Sequence, residues 1–139
     1  MAYGTDAEAQ RVLTDCSTWA VVGLGSGPPR TALHVAAWLQ RQGKRIVPVH
    51  PGGGQVLGEQ VYPSIASIPF PIDVVDVFRR SDQAGAHVDE AVAAGAKAAW
   101  LQLGVVDEDA YARGRAAGLT VLMDRCPHIE GPALLGWPA

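Results

Sequence analysis

Residues 19–30 read WAVVGLGSGPPR, a short apolar run set directly against three glycines and two prolines. An apolar strand feeding a glycine-rich turn, with helix-compatible sequence beyond it, is how an α/β protein offers backbone N–H groups to a phosphate. The reading requires more strands of the same kind, and the chain supplies them. Thr18 to Val22, Arg45 to Val49, Asp73 to Phe78, Ala98 to Leu103 and Leu119 to Met123 are all short and rich in Val, Ile, Leu or Ala. They are close to continuously apolar, the mark of parallel strands covered on both faces. Pro48 is the exception, because proline cannot donate to a ladder; the second strand ends near it, or Pro48 lies where no hydrogen bond is needed.

Helical patterns fill the intervals. Arg30 to Gln42 places Leu33, Val35, Ala36 and Ala37 on one side, with Gly43 as a C-terminal cap. Asp82 to Ala94 turns Val88, Ala91 and Val92 inward and ends at Gly95. Asp107 to Ala117 opens with three acids, which suits the positive end of a helix dipole, and Gly118 closes it. A helix over Asp6 to Asp15 and a turn or helix after Pro127 complete the pattern. Residues 50–72 differ: four glycines and four prolines there predict a short helix near Pro63 to Ser67 in place of a full crossover helix. Alternating β and α elements with short connections predict an open, mostly parallel sheet with helices on both faces.

At 139 residues the chain fits one domain, 1–139, able to bury most of its apolar surface in a single core. Its 48% hydrophobic and 18% charged content is that of a globular protein, and a net charge of −3 argues against a nucleic-acid partner. Cys16 and Cys126 have no paired spacing, so neither a zinc site nor a disulfide framework is indicated. The start, MAYGTDAEAQ, lacks the features of a signal peptide, and no apolar run is long enough to span a membrane. The expectation is a cytoplasmic protein with a small-molecule ligand, no membrane contact, and room for a homo-oligomer or a protein partner.

Ligands of open α/β sheets sit beyond the carboxyl ends of the strands. For a nicotinamide cofactor the signs are poor. Gly23, Gly25 and Gly27 lack the third glycine at its usual spacing, where Pro28 stands. After the second strand an acid should hold the ribose hydroxyls, but the chain reads Val49-His50-Pro51 and the next acid is Glu59. Nor does a basic residue for NADP fall there, since Arg45 opens the strand.

The segments AVVGLGSGPPR, RIVPVHPGGGQVLGEQVYPSI, DVVDVFRR, AKAAWLQLGV and GLTVLMDRC, in that order over roughly residues 18–126, resemble the CoA-binding domain family. These are small stand-alone Rossmann-type proteins related to the N-terminal domain of the succinyl-CoA synthetase α subunit. The resemblance implies a Rossmann-like three-layer αβα sandwich with a mostly parallel sheet of about five strands, and coenzyme A as ligand. It implies that Gly23, Gly25, Ser26 and Gly27 offer N–H groups and a hydroxyl to the pyrophosphate, with Arg30 as a two-pronged phosphate contact. His50, Pro51 and Gly52 match the proline–glycine loop beside the nucleotide, although the family more often has asparagine where His50 stands. By the same resemblance Phe78, Arg79 and Arg80, after the third strand, are expected to flank the adenine or its phosphate, and Gln102 and Gly104 to end the fourth strand on the ligand side. The synthetase relatives use a phosphorylated histidine from a second domain and a partner subunit; neither is found here, so ligase activity is not inherited.

Plainer readings stand beside these. The three glycines also make a tight strand-to-helix turn, Arg79 and Arg80 a solvated pair, and Gln102 and Gly104 a closed sheet edge. His34, His50 and His87 read as structural or solvent-facing, and the four tryptophans as packing residues. Cys126 is either a small buried hydrophobe or a thiol activated by Arg125 and flanked by Asp124 and His128. The expected function is CoA or acyl-CoA binding without catalysis. The alternatives are a small oxidoreductase or acyl-transfer enzyme using Cys126, and a degenerate partner-binding domain.

Overall fold

The computed structural model describes residues 3–27 and 29–139. Helix α1 (Asp6–Asp15) leads into β1 (Thr18–Val22), α2 (Arg30–Arg41) and β2 (Arg45–Val49). A small hairpin of β3 (Gln55–Val56) and β4 (Glu59–Gln60) follows, then a single 3-10 turn at Ile65–Ser67. The chain continues through β5 (Val74–Val77), α3 (Ser81–Ala93), β6 (Ala98–Leu101), α4 (Glu108–Ala116), β7 (Thr120–Leu122) and α5 (Pro127–Glu130). Five strands form one parallel sheet in the order β2-β1-β5-β6-β7.

Each strand is buried on both sides because successive side chains serve different layers. Trp19 and Val21 join the core under α1 and α2, whereas Ala20 and Val22 join the core under α3 and α4. Trp19, Trp38 and Trp100 are wholly buried and each pairs its indole N–H, with the carbonyls of Cys16, Pro138 and Arg125 respectively. Trp137 packs against the same core, so all four tryptophans are packing residues. No helix among the described residues is long and apolar enough to cross a membrane.

Strand β2 is an edge strand and runs straight through Pro48. Its carbonyl points outward and accepts from the Tyr62 N–H at 2.9 Å, so the missing proline N–H faces an edge where β1 needs no donor. Residues 50–72 hold no crossover helix. They form the hairpin, turned by Leu57 (φ 51°) and Gly58 (φ 77°) as a two-residue type I′ turn, and then the 3-10 turn. Ile65 and Ile72 plug the α3 side of the core where a helix would otherwise lie. This thin connection leaves open space above the carboxyl ends of β1 and β5.

Candidate functional site

The strand order reverses between β1 and β5: from β1 the chain moves to β2 on one side, and β5 starts the run on the other. A crevice at such a reversal is where an open sheet takes its ligand. A cavity of about 530 Å³ lies there, within the roughly 300–1,000 Å³ usual for small-molecule sites. Val22, Gly23, Gly27 and Pro29 form its floor, Val49, His50 and Pro51 one wall, and Pro63, Ser64 and Ile65 its cover. Phe78, Arg79, His87 and Glu90 form the wall on the β5–α3 side.

The glycine turn is shaped by close contacts. Gly23 has φ +99° and a Cβ there would stand 2.6 Å from the Phe78 carbonyl oxygen, so no other residue fits without a shift. Its N–H donates to the Val49 carbonyl at 2.9 Å, which commits that group to the sheet. Gly25 lies against the His50 ring, where a Cβ would come within 2.7 Å of Cγ. The Ser26 hydroxyl donates to the Gly53 carbonyl at 3.1 Å, and Nδ1 of His50 accepts from the Gly52 N–H at 3.0 Å. The two glycine loops therefore brace each other. Beyond them α2 is capped by Pro29, which carries no side-chain acceptor, and its first turn has no acid. The positive end of its dipole thus has no side-chain partner at the cap.

On the β5–α3 wall, Nδ1 of His87 is hydrogen-bonded to the Glu90 carboxylate, and Nη1 of Arg79 lies 3.4 Å from Nε2 of the same ring. The imidazole is largely buried, with 15% of its side chain exposed.

Comparison with known proteins gives this arrangement a family. The sequence matches the CoA binding domain over residues 17–132. The chain belongs to the CoA-binding domain family. It is 39% identical over 126 residues to the uncharacterized protein YneT of Bacillus subtilis (strain 168), covering 91% of this chain and 93% of that one. A hypothetical protein from Pyrococcus horikoshii OT3 superposes with a TM-score of 0.88 at 35% identity, covering 95% of this chain and 93% of the other. A dinucleotide-forming acetyl-coenzyme A synthetase from Ca. Korarchaeum cryptofilum, solved with phosphate and ADP, shares the fold at a TM-score of 0.70 and 22% identity. This chain spans 27% of that enzyme.

Of the residues the family resemblance nominates, Gly23, Gly27, His50, Pro51, Phe78 and Arg79 line the cavity. Gly25, Ser26 and Gly52 stand behind them and hold the loops. Four others are not brought there. Arg30 opens onto a second groove of about 440 Å³, with His34, Leu103, Cys126, His128 and Ile129. Arg80 points into solvent beside Asp82 at 3.4 Å. Gln102 is buried and donates to Oδ1 of Asp76 at 2.5 Å. Gly104 donates its N–H to Oδ1 of Asp124 at 2.7 Å. Pro28, at the missing third glycine, lies outside the described residues.

The surroundings of Cys126 do not activate its thiol as a nucleophile. Burial pushes its thiol up, against the pull of the His128 and Ile129 N–H groups, and keeps it protonated. Arg125 is turned away, bonded to Asp6, Glu130 and the Gly4 carbonyl. His128 stacks on Trp38 at 4.9 Å and Asp124 accepts from the Gly104 N–H, so both groups that flank Cys126 have other partners. Sequence reasoning did not bring His87 and Glu90 to this cavity. Their only signal was position: they fall on α3 at offsets of six and nine from Ser81, its first residue.

Proposed function

We propose that this protein binds coenzyme A, free or acylated, in the cavity at the β1–β5 reversal, and performs no chemistry of its own on it. The observation that carries the reading is the braced glycine turn, which brings Gly23, Gly27 and the α2 cap residue Pro29 to the cavity at the sheet reversal. A pyrophosphate there takes backbone N–H groups and the helix dipole. The adenosine end then extends between the His50–Pro51 loop and Phe78, where apolar walls suit a purine face. The missing acid after β2 removes the partner that a nicotinamide cofactor's ribose needs. Family membership supports the same ligand. Gly23, Gly27, His50, Pro51, Phe78 and Arg79 are the proposed direct contacts; Gly25, Ser26 and Gly52 act through the loops. The protonated, turned-aside Cys126 supports a binding role over an acyl-transfer one.

Gly27 provides the test. A Cβ there meets no described atom within 4 Å and its φ is ordinary, so a side chain is accommodated. Gly27→Asp puts a carboxylate where the pyrophosphate would sit, while also favouring the helix dipole. The expected outcome is CoA affinity at least ten-fold weaker in fluorescence or calorimetric titration, with thermal stability unchanged or slightly raised. Undiminished CoA affinity in Gly27→Asp would remove the glycine turn from the site.

A further inference from the structure

The cavity has a second place for negative charge besides the α2 end. On the β5–α3 wall the chain Glu90–His87–Arg79 presents a guanidinium whose neighbour is a titratable ring. Glu90, as a carboxylate, accepts from Nδ1–H of His87, which leaves Nε2 as the nitrogen facing Arg79. In that state the three groups sum to zero charge, and Arg79 spends an N–H on the imidazole. With Nε2 protonated the trio carries +1, and both Nε2–H and Arg79 become donors without an acceptor between them. A phosphate monoester supplies that acceptor: it is close to dianionic at neutral pH, with a second pKa near ~6, and offers three oxygens to a fork-shaped donor. Such a group is separate from the diphosphate at α2, so the two seats together fit a ligand with a diphosphate and a distinct monoester.

The other groups facing the ring do not take over its role. The 3-10 turn packed on α3 presents Ser64 and Ile65 to the cavity, and His50 stands on the far wall. Asp89 of α3 is paired with Arg113 of α4 at 3.1 Å, on the flank of α3 that packs against α4. Resting on the CoA reading above, we propose that Arg79 and His87 bind the 3′-phosphate of the ligand, and that binding transfers one proton from solvent to Nε2 of His87. Arg79 is the contact; His87 is both contact and proton carrier; Glu90 is a positioning residue that holds Nδ1–H and steadies the imidazolium.

The experiment is calorimetric titration of the full chain at pH 7.5 in two buffers of different ionisation enthalpy, with CoA and with 3′-dephospho-CoA. CoA is expected to bind with measurable net proton uptake, and dephospho-CoA at least ten-fold more weakly with smaller uptake. His87→Gln keeps an acceptor for Arg79 but cannot titrate; it should abolish the uptake while losing less affinity than Arg79→Ala. Equal affinity for the two ligands, or uptake unchanged in His87→Gln, would overturn the proposal while leaving the CoA reading standing. No binding of either ligand would overturn both. Should His87→Gln fold poorly, the wild-type comparison of the two ligands decides alone.

Discussion

Asp76 sits in the middle of β5 with no exposed surface, opposite Val21 on one side and Trp100 on the other. Burial pushes its carboxyl up to about 8, against the opposing effect of the Gln102 hydrogen bond, and Oδ2 has no partner among the described residues. At neutral pH it is therefore a protonated acid inside the sheet. The unfolded chain ionises Asp76 near the ordinary value of 3.8 and the folded one only near 8. Its contribution to stability is consequently full in acid and lost as pH rises through that interval, by at most about 1.4 kcal/mol per pH unit. Thermal unfolding between pH 5 and pH 8.5 should show a midpoint that falls with pH. Asp76→Asn, which keeps an acceptor for Gln102, should flatten that fall; an equally steep fall in the variant would assign it to other groups. An acid inside the run DVVDVF was visible in the sequence, and strands covered on both faces imply its burial, but its Gln102 partner was not legible because it comes from the neighbouring strand's end. The same holds at the site. Gly23 and Arg79 follow strands, where ligand residues are sought, whereas His87 and Glu90 reach the cavity only through the pitch and tilt of α3.

Among the elements, α3 and α4 meet through small residues. A Cβ on Gly114 of α4 would lie 2.7 Å from Val121 Cγ2 and 2.9 Å from Val88 Cγ1, and one on Gly85 of α3 would strike Asp107. Alanine at 114 gains about 1 kcal/mol in helix propensity, but overpacking costs roughly 1–3 kcal/mol. Since both valines are wholly buried and cannot retreat, Gly114→Ala should destabilise the protein by about 1 kcal/mol, read as a lower urea midpoint with unchanged slope. A gain in stability would mean that the two helices are free to separate. Elements were the most legible level. Apolar runs gave β1 and β2 with their observed limits, and the glycines at 43, 95 and 118 marked the ends of α2, α3 and α4. Residues 50–72 were less legible. The turn at Leu57-Gly58 carries a glycine only at its second position, and β3 and β4 have two residues each, too few for a periodic signal. Pro48 was readable only as a pair of options, because its tolerance depends on β2 being an edge strand, a property of the whole sheet.

For the whole molecule, the cavity depends on the order β2-β1-β5-β6-β7, since that order sets β1 beside β5 and opens the crevice. Sequence reasoning reached the parallel sheet and the strand ends, but it had no means of ranking the loops there. The sheet order separates Gly23, His50 and Phe78, which converge, from Arg30 and Gln102, which fall toward the α2–α5 side. The cavity also runs against the molecule's overall balance. The chain carries a net charge of −3, yet in the cavity lining Arg79 balances Glu90. An anionic ligand should accordingly bind less tightly as salt is raised. The most direct test of the central claim is a calorimetric titration of the wild-type protein with CoA, run beside NAD under the same conditions. Saturable binding of one CoA per chain, with no measurable heat from NAD, is the predicted result. Binding of NAD with none of CoA would contradict it.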